Sequence, residues 1–381
     1  MEDNESPIHL RVRLVINDRG WILEKMARRL LEHLPRWNVQ ADIASHPSTT
    51  ADINHWMLYY DMGGRLVSRN TLAITHVDRL AKLQVLKRRL KSANMGICMS
   101  RMTLEQLISL GVPRDKLCFI TPGHDNILKP KRIVIGITSQ IRADGAKREH
   151  VLIEVAKAMR LDYFHFEIIG PNWEKIIPFF EVAGATVNYY PGEYKKNNEE
   201  HLRVISDRIR GFDYYLYMGW DEGSMGILDA LTVGIPTIVT PQGFHLDIDG
   251  GITHAFTDAE ELIEILKKLE SGNRARVLAV SQLTWTEYAR QHAILWRLIV
   301  QNENGNVDAL LHKNQNFPKP LDVSRSGLRT TWWNMRTRTS FFSFKEDLSL
   351  LWRVYTGRKL ERTLFFRLAR FLKRMTLRIL N

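Results

Sequence analysis

The chain has 381 residues, 44% hydrophobic and 25% charged, the composition of a globular protein of about two domains. Disordered, collagen-like and disulfide-scaffold classes are excluded, and no run reaches the ~18 apolar residues of a membrane-spanning helix. Two cysteines, Cys98 and Cys118, with no CxxC pair exclude a Cys-rich zinc module and point to a reducing compartment. The net charge of +12 is unevenly placed: residues 1–318 carry 39 Lys and Arg against 38 Asp and Glu, whereas 319–381 carry 15 against 4. A near-neutral body and a basic tail are therefore separate signals.

The acidic, polar start (MEDNESPIHL) is expected to be no signal peptide. Residues 9–18 are apolar and β-branched and end in the turn Asn17-Asp18-Arg19-Gly20. Ile22, Met26, Leu30 and Leu34 then recur every four residues until Pro35, which reads as strand, glycine turn and helix, the opening of a βαβ unit. Further strands are expected at Val39–Ile43, Trp56–Tyr60, Leu72–Thr75, Gly96–Met99 and Lys116–Ile120, with helices at Leu80–Leu90 and Leu104–Leu110. After Thr121-Pro122-Gly123-His124-Asp125 the pattern restarts. Strands are expected at Arg132–Ile137, Tyr163–Ile169, Val187–Tyr190, Tyr214–Met218 and Thr237–Thr240, with helices at 149–159, 225–232, 259–270 and 282–299. Alternating strand and helix in both halves predicts two parallel-sheet α/β domains meeting near residue 125, with ligands at the carboxyl ends of the strands.

Two loops at such ends carry chemistry. Asp221-Glu222-Gly223-Ser224-Met225 leads into a helix bearing Asp229; its orphan N–H groups and dipole suit a phosphate, and its acids suit sugar hydroxyls. The plain alternative is N-capping by Asp221 or Ser224, with Asp229 a solvated helix residue. Arg142 and Lys147, five apart on a glycine-containing loop, are placed to clamp a diphosphate, Arg in bidentate fashion and Lys as a point charge. An ordinary solvated loop is the alternative there. His76 reads either as a site residue or as a buried, hydrogen-bonded strand-end histidine. His245 follows a strand end within reach of a donor sugar. Asn17-Asp18-Arg19-Gly20 is not GxGxxG, so a Rossmann dehydrogenase is unsupported, and no Walker lysine, Gly-x-Ser-x-Gly or His-Glu-x-x-His occurs.

Taken together, the loops resemble the retaining nucleotide-sugar glycosyltransferases of family 4. Arg142, Lys147 and Leu152-Ile153-Glu154-Val155 match that family's Gly-Arg-(four residues)-Lys-Gly stretch and the helix that follows it. Asp221-x7-Asp229, Ala230 and Gly234-Ile235-Pro236 match its Glu-x7-Glu, Ala and Gly-x-Pro, and Pro122-Gly123-His124-Asp125 resembles its Pro-x-Gly-x-Asp segment between domains. The likeness spans roughly residues 10–300 and is firm over 120–245. Three departures stand out. Both motif glutamates are Asp, with Glu222 adjoining the first; Ile141 and Arg148 replace the glycines flanking the cationic pair; and the N-terminal domain, at about 125 residues, is short.

The resemblance implies a GT-B fold: two Rossmann-like parallel-sheet domains facing across a cleft, an acceptor domain at 1–125 and a donor domain at 126–300. It implies that Arg142 and Lys147 hold the donor diphosphate, that Asp229 binds the ribose, and that Asp221 or Glu222 contacts the sugar. Gly223, Ser224 and Met225 would contact the sugar and β-phosphate, Gly20 in the Asp18-Arg19-Gly20 turn would face the diphosphate, and His76 would match the active-site histidine. The base would lie against the 188–193 loop. No metal or cofactor is expected: the nucleotide-sugar is a co-substrate, and preorganised cations and helix N–H groups stabilise the leaving phosphate. Asp247-Ile248-Asp249, which superficially resembles a metal-binding Asp-x-Asp, follows a late strand of the second domain and is read as no metal site.

Residues 301–325 read as a linker. Beyond them, Trp332-Trp333 and Phe341, Phe342 and Phe344 interleave with Arg329, Arg336, Arg338 and Lys345. Leu360, Leu364, Phe365, Leu368, Phe371, Leu372, Met375 and Ile379 form a 3.6-residue stripe among Arg and Lys. Segment 326–381 is thus expected to be an amphipathic helical tail lying on an anionic membrane. Packing on the second domain or a partner is the alternative, and nucleic acid explains the charge but not the stripe. The expected protein is a cytoplasmic glycosyltransferase, peripheral to the membrane's cytoplasmic face, acting on a lipid-linked or membrane-proximal glycan in bacterial surface polysaccharide assembly. A same-fold epimerase or hydrolase and a non-catalytic, membrane-anchored subunit of a glycan-assembly complex are the rivals.

Overall fold

The computed structural model describes residues 9–17, 19–63, 68–125, 129–192, 198–302 and 307–312. These form two compact units: the described residues of 1–126 together with those of 281–381, and those of 127–280.

The first unit opens with β1 (Leu10–Val15), α1 (Ile22–His33), β2 (Val39–Ala44), β3 (Ile53–Trp56), β4 (Arg69–Ile74), α2 (Leu80–Leu90), β5 (Met95–Cys98), α3 (Arg101–Ser109) and β6 (Leu117–Phe119). All six strands are parallel, in the order β2-β1-β3-β4-β5-β6. The three-to-four-residue spacing of Leu23, Met26, Ala27 and Leu30 buries one stripe of α1 against this sheet. The strand order reverses beside β1, so the Gly20 turn lies at a switch point.

One strand differs from expectation. Trp56–Tyr60 reads as a strand, but β3 ends at Trp56, and a short 3-10 turn spans Tyr59–Asp61. The strand carries Asn54 and His55, polar residues that suggest a loop. Both are buried with partners: Asn54 accepts from the Ser48 N–H at 2.7 Å, and His55 Nδ1 meets Thr71 Oγ1 at 2.9 Å.

The second unit contains β7 (Ile133–Thr138), α4 (His150–Ala158), β8 (Phe164–Ile169), α5 (Ile177–Val182), β9 (Thr186–Tyr190), α6 (Asn198–Ile209), β10 (Tyr214–Tyr217), α7 (Met225–Thr232), β11 (Thr237–Val239), β12 (His254–Ala255) and α8 (Ala259–Ala279). Its sheet is also parallel, in the order β12-β11-β10-β7-β8-β9. The chain steps from β7 outward through β8 and β9, then returns to lay β10 on the other side of β7. The switch point therefore falls between β7 and β10, whose following loops are the two that the sequence singled out.

The domain boundary at residue 300 needs correction. The chain re-enters the first unit at Ser281, and α9 (Trp285–Gln301) and α10 (Val307–Leu311) pack there. Trp285, Tyr288, Ala289, Ala293, Leu295, Trp296 and Leu311 share one apolar core with Leu10, Leu14, Met26 and Leu30. An amphipathic stripe shows that a helix is buried, not which sheet buries it. The linker expected at 301–325 accordingly begins with helical turns: Asp308 pairs with Arg114 at 2.5 Å, and His312 Nε2 donates to the Phe119 carbonyl at 3.0 Å. The amphipathic tail at 326–381 lies outside the described residues. Among the described residues, no helix is long and apolar enough to cross a membrane.

Leaving and returning segments run side by side in the first unit. The His124 N–H donates to the Leu283 carbonyl at 2.8 Å, and a Cβ on Gly123 would stand 2.4 Å from the Trp285 nitrogen, so only glycine fits. Asp125 accepts from Lys25 at 2.5 Å, Arg29 at 2.9 Å and the Trp285 indole at 2.9 Å, tying the Pro-Gly-His-Asp segment to α1 and α9. Those contacts hold its carboxyl below the usual carboxylate range, the Lys25 bond foremost.

Helix α9 also brings His292 beside His55, with rings 5.3 Å apart and both fully buried. Burial takes His292 down to about 4, against its bond to the Tyr288 carbonyl, and pushes His55 well below its ordinary value. A depressed imidazole contributes stability that is complete above pH 6.5 and is lost as pH falls toward 4. For His292 this amounts to about 3 kcal/mol. The urea midpoint is expected to fall between pH 7 and 4.5, and His292→Phe is expected to flatten that dependence; equal pH slopes in both proteins would refute it.

Candidate active site

The site is built on the loops after β7 and β10. The Trp220 N–H donates to the Ala146 carbonyl at 2.8 Å, joining the loops through the backbone, and Lys147 completes the join through its side chain. Its Nζ donates to Asp221 Oδ2 at 2.6 Å and to the Tyr217 hydroxyl at 2.8 Å. The same hydroxyl donates to the Asp221 carboxylate at 2.6 and 2.7 Å, and the Gly223 N–H adds 3.1 Å to Oδ1. Burial pushes the Asp221 carboxyl up, but Lys147, Tyr217 and Gly223 together bring it below the usual range, so it is ionised. Burial first, then Asp221, drives the Tyr217 phenol up, so it stays a neutral donor. Among the described residues, Lys147 thus uses two of its three N–H bonds.

Beneath the loop runs a buried chain of hydroxyls, Thr138 to Tyr215 to Ser224, each link 2.8 Å. A Cβ on Gly226 would fall 1.9 Å from Thr138 Oγ1 and 2.3 Å from the Tyr215 hydroxyl, so glycine here lets α7 sit directly on β7 and β10. Gly223 has φ +120°, and any Cβ would meet the Phe244 ring at 2.6 Å.

Several sequence-derived roles change. Ser224 is the N-cap of α7, yet its side chain makes no capping bond: its hydroxyl serves Tyr215, and its N–H donates to His245 Nε2 at 2.8 Å. The Gly223 N–H is taken by Asp221. The Met225 and Gly226 N–H groups have no partner among the described residues; Met225 is exposed at this helix start, whereas Gly226 is buried against the sheet. His245 is buried and supports the loop instead of reaching a sugar. Its Nδ1–H donates to the Thr240 carbonyl at 3.3 Å, and burial lowers its pKa, keeping Nε2 an acceptor.

Glu222 and Asp229 are exposed carboxylates with no partner among the described residues. Arg142 is exposed and pairs within its own loop with Asp144 at 3.1 Å. Arg148 has φ +50°, the left-handed conformation that glycine adopts without strain.

In the first unit, Gly20 has φ +82° and open space beside it, but its N–H is taken by Glu24 at 2.6 Å. Asp18 lies outside the described residues. His76 is exposed two residues beyond β4, with no side-chain partner among the described residues, so the buried-histidine alternative does not hold. Asp247 and Asp249 are exposed, and among the described residues no three His, Cys, Asp or Glu side chains gather as a metal site. Sequence reading missed Tyr215, Tyr217 and Gly226. A strand-end tyrosine looks like core, and only the pairing of β10 with β7 shows what its hydroxyl meets.

No protein-family model and no curated protein matches the chain. Solved structures do resemble it. HepE of Anabaena, in complex with UDP and glucose, aligns at 11% identity over 76% of this chain and 100% of its own, with TM-score 0.31. The lipopolysaccharide outer core galactosyltransferase WaaB aligns at 13% identity over 76% and 99%, with TM-score 0.30. A putative UDP-N-acetylglucosamine 2-epimerase of Listeria monocytogenes aligns at 8% identity over 78% and 98%, with TM-score 0.30. At TM-scores of this size these likenesses carry no argument, and the reading of the site rests on its own geometry.

Proposed function

We propose that the chain is a glycosyltransferase moving a sugar from a nucleotide-sugar donor to a lipid-linked or membrane-proximal glycan acceptor, with retention, in bacterial surface polysaccharide assembly. The observation that carries this reading is the junction at the second sheet's switch point, where Lys147, locked to Asp221 and Tyr217, stands on loops leading to an α7 start at the exposed Met225. That junction offers a fixed cation and a helix-start N–H donor for a leaving diphosphate. In the reaction the sugar C1–O bond to phosphate breaks with its electron pair going to the diphosphate, the acceptor hydroxyl forms the new C1–O bond, and its proton passes to the leaving phosphate.

Lys147 and Arg142 take the diphosphate, Arg142 by leaving Asp144. Asp229 takes the ribose, and His76 belongs to the active site. With both Asp221 oxygens occupied, Glu222 is the acid that meets the sugar. The basic aromatic segment 326–381 adds association with an anionic membrane at the cytoplasmic face.

A thermal-shift screen of the full chain against UDP-, GDP- and dTDP-sugars tests the reading. One donor is expected to raise Tm by several degrees, since ligand at 100 times Kd contributes about 2.7 kcal/mol. Asp229→Ala and Arg142→Ala are each expected to remove that rise and abolish turnover while leaving unliganded Tm unchanged. Stabilisation kept by both variants refutes the site. No stabilisation by any donor favours the non-catalytic subunit, and release of free sugar without acceptor favours the hydrolase.

A further inference from the structure

Trp220 is 61% exposed, unusual for an indole in a loop otherwise pinned by hydrogen bonds. The Arg148 guanidinium carbon stands 5.1 Å from the ring centroid, covering one face. Arg148 Nη2 donates to the Thr257 carbonyl at 2.6 Å, so the arginine braces the indole against the loop that precedes α8.

The brace is kept at a cost. Arg148 adopts φ +50° where a glycine would be unstrained, and its buried Nη1 has no partner among the described residues. Strain and an orphan donor in one residue, beside a switch-point loop, mark a side chain retained for what it supports. What it supports is the rest of the exposed Trp220 ring, on the loop that continues into Asp221 and Glu222.

An open aromatic face, with the exposed Glu222 two residues along the same loop, matches the two halves of a pyranose ring: C–H groups that pack on the negative face of the indole, and hydroxyls that donate to a carboxylate. We propose that Trp220, braced by Arg148, is the platform on which the transferred hexose of the donor stacks. The proposal rests on the donor-site reading above and assigns the sugar's subsite within it. Arg148 acts through Trp220 and is a positioning residue.

Calorimetric titration of the full chain with matched pairs separates the two ideas: UDP against UDP-glucose, GDP against GDP-mannose, and dTDP against dTDP-glucose. The wild type is expected to bind one sugar nucleotide about tenfold tighter than its bare nucleotide. Trp220→Ala is expected to erase that difference while leaving the bare nucleotide's Kd unchanged; Trp220→Phe is expected to restore most of it. Arg148→Gly, which relieves the backbone, is expected to erase the same increment with Tm held, and the double variant is expected to lose no more than either single one. Bare-nucleotide binding with no sugar increment in the wild type, or an increment kept by Trp220→Ala, overturns the platform alone. Absence of binding in every pair overturns the donor-site reading together with it.

Discussion

Replacing Lys147 with methionine is expected to abolish turnover while the protein stays folded. The ammonium is hydrogen-bonded into the junction of the two loops, and removing such a group from developing phosphate charge costs about 100- to 1,000-fold in rate. Stability is expected to fall by only about 1 kcal/mol, because Asp221 keeps Tyr217 and the Gly223 N–H and remains partly solvated.

The variant should also change the acid limb of unfolding. With its carboxyl held below the usual value of 3.8, Asp221 contributes stability that is present above that pH and lost as pH falls through the lowered pKa. Without Lys147 the carboxyl rises back toward the usual value, so less stability is lost as pH falls below 3.8. Single-turnover assays with the donor identified by thermal shift, together with urea titrations at pH 3.5 and 7, read both effects. Turnover within tenfold of wild type sinks the assignment of Lys147 to the diphosphate.

Gly226→Ala is expected to be strongly destabilising to the second unit. Helix propensity alone predicts a gain, since alanine is favoured over glycine by about 1 kcal/mol. Sterics decide otherwise: the new methyl would lie 1.9 Å from Thr138 Oγ1 and 2.3 Å from the Tyr215 hydroxyl, inside a buried hydroxyl chain with no room to give. Overpacking of this kind costs 1–3 kcal/mol, and splitting the chain leaves buried hydroxyls without partners. A net loss of about 3 kcal/mol lowers Tm by about 6–12 °C for a unit of this size. Calorimetry measures it, and Thr138→Ala in the same background should recover part of the loss by removing the nearest atom. An unchanged or raised Tm would mean that α7 moves aside freely, and that its close seat on the sheet is not what fixes the loop.

Much of this molecule was legible in one dimension, for physical reasons particular to its elements. Parallel strands buried on both faces read as short apolar runs, and α1, α2 and α7 carry apolar stripes, so their existence and order followed from periodicity. Spacing also identified both loops at the second switch point, because glycine, acids and cations clustered after a strand are scarce elsewhere. Periodicity failed for β3, where satisfied polar residues are buried, and for α9, whose stripe showed burial without showing against what.

Roles within the site were the part that sequence alone left open. It placed Asp221 and Lys147 seventy-four positions apart, each a candidate for a ligand of its own. Parallel pairing of β10 with β7 brings them to 2.6 Å, and the pair spends the carboxylate on the lysine, leaving Glu222 as the free acid. In the same way, Ser224 became a buried link, His245 a support and Arg148 a strained brace. Local composition determined which residues carry chemistry, because side-chain type and helix-start geometry are local properties. Which of them remain free to use it was decided by strand order, since a hydrogen bond between distant residues exists only when the sheet brings their loops together.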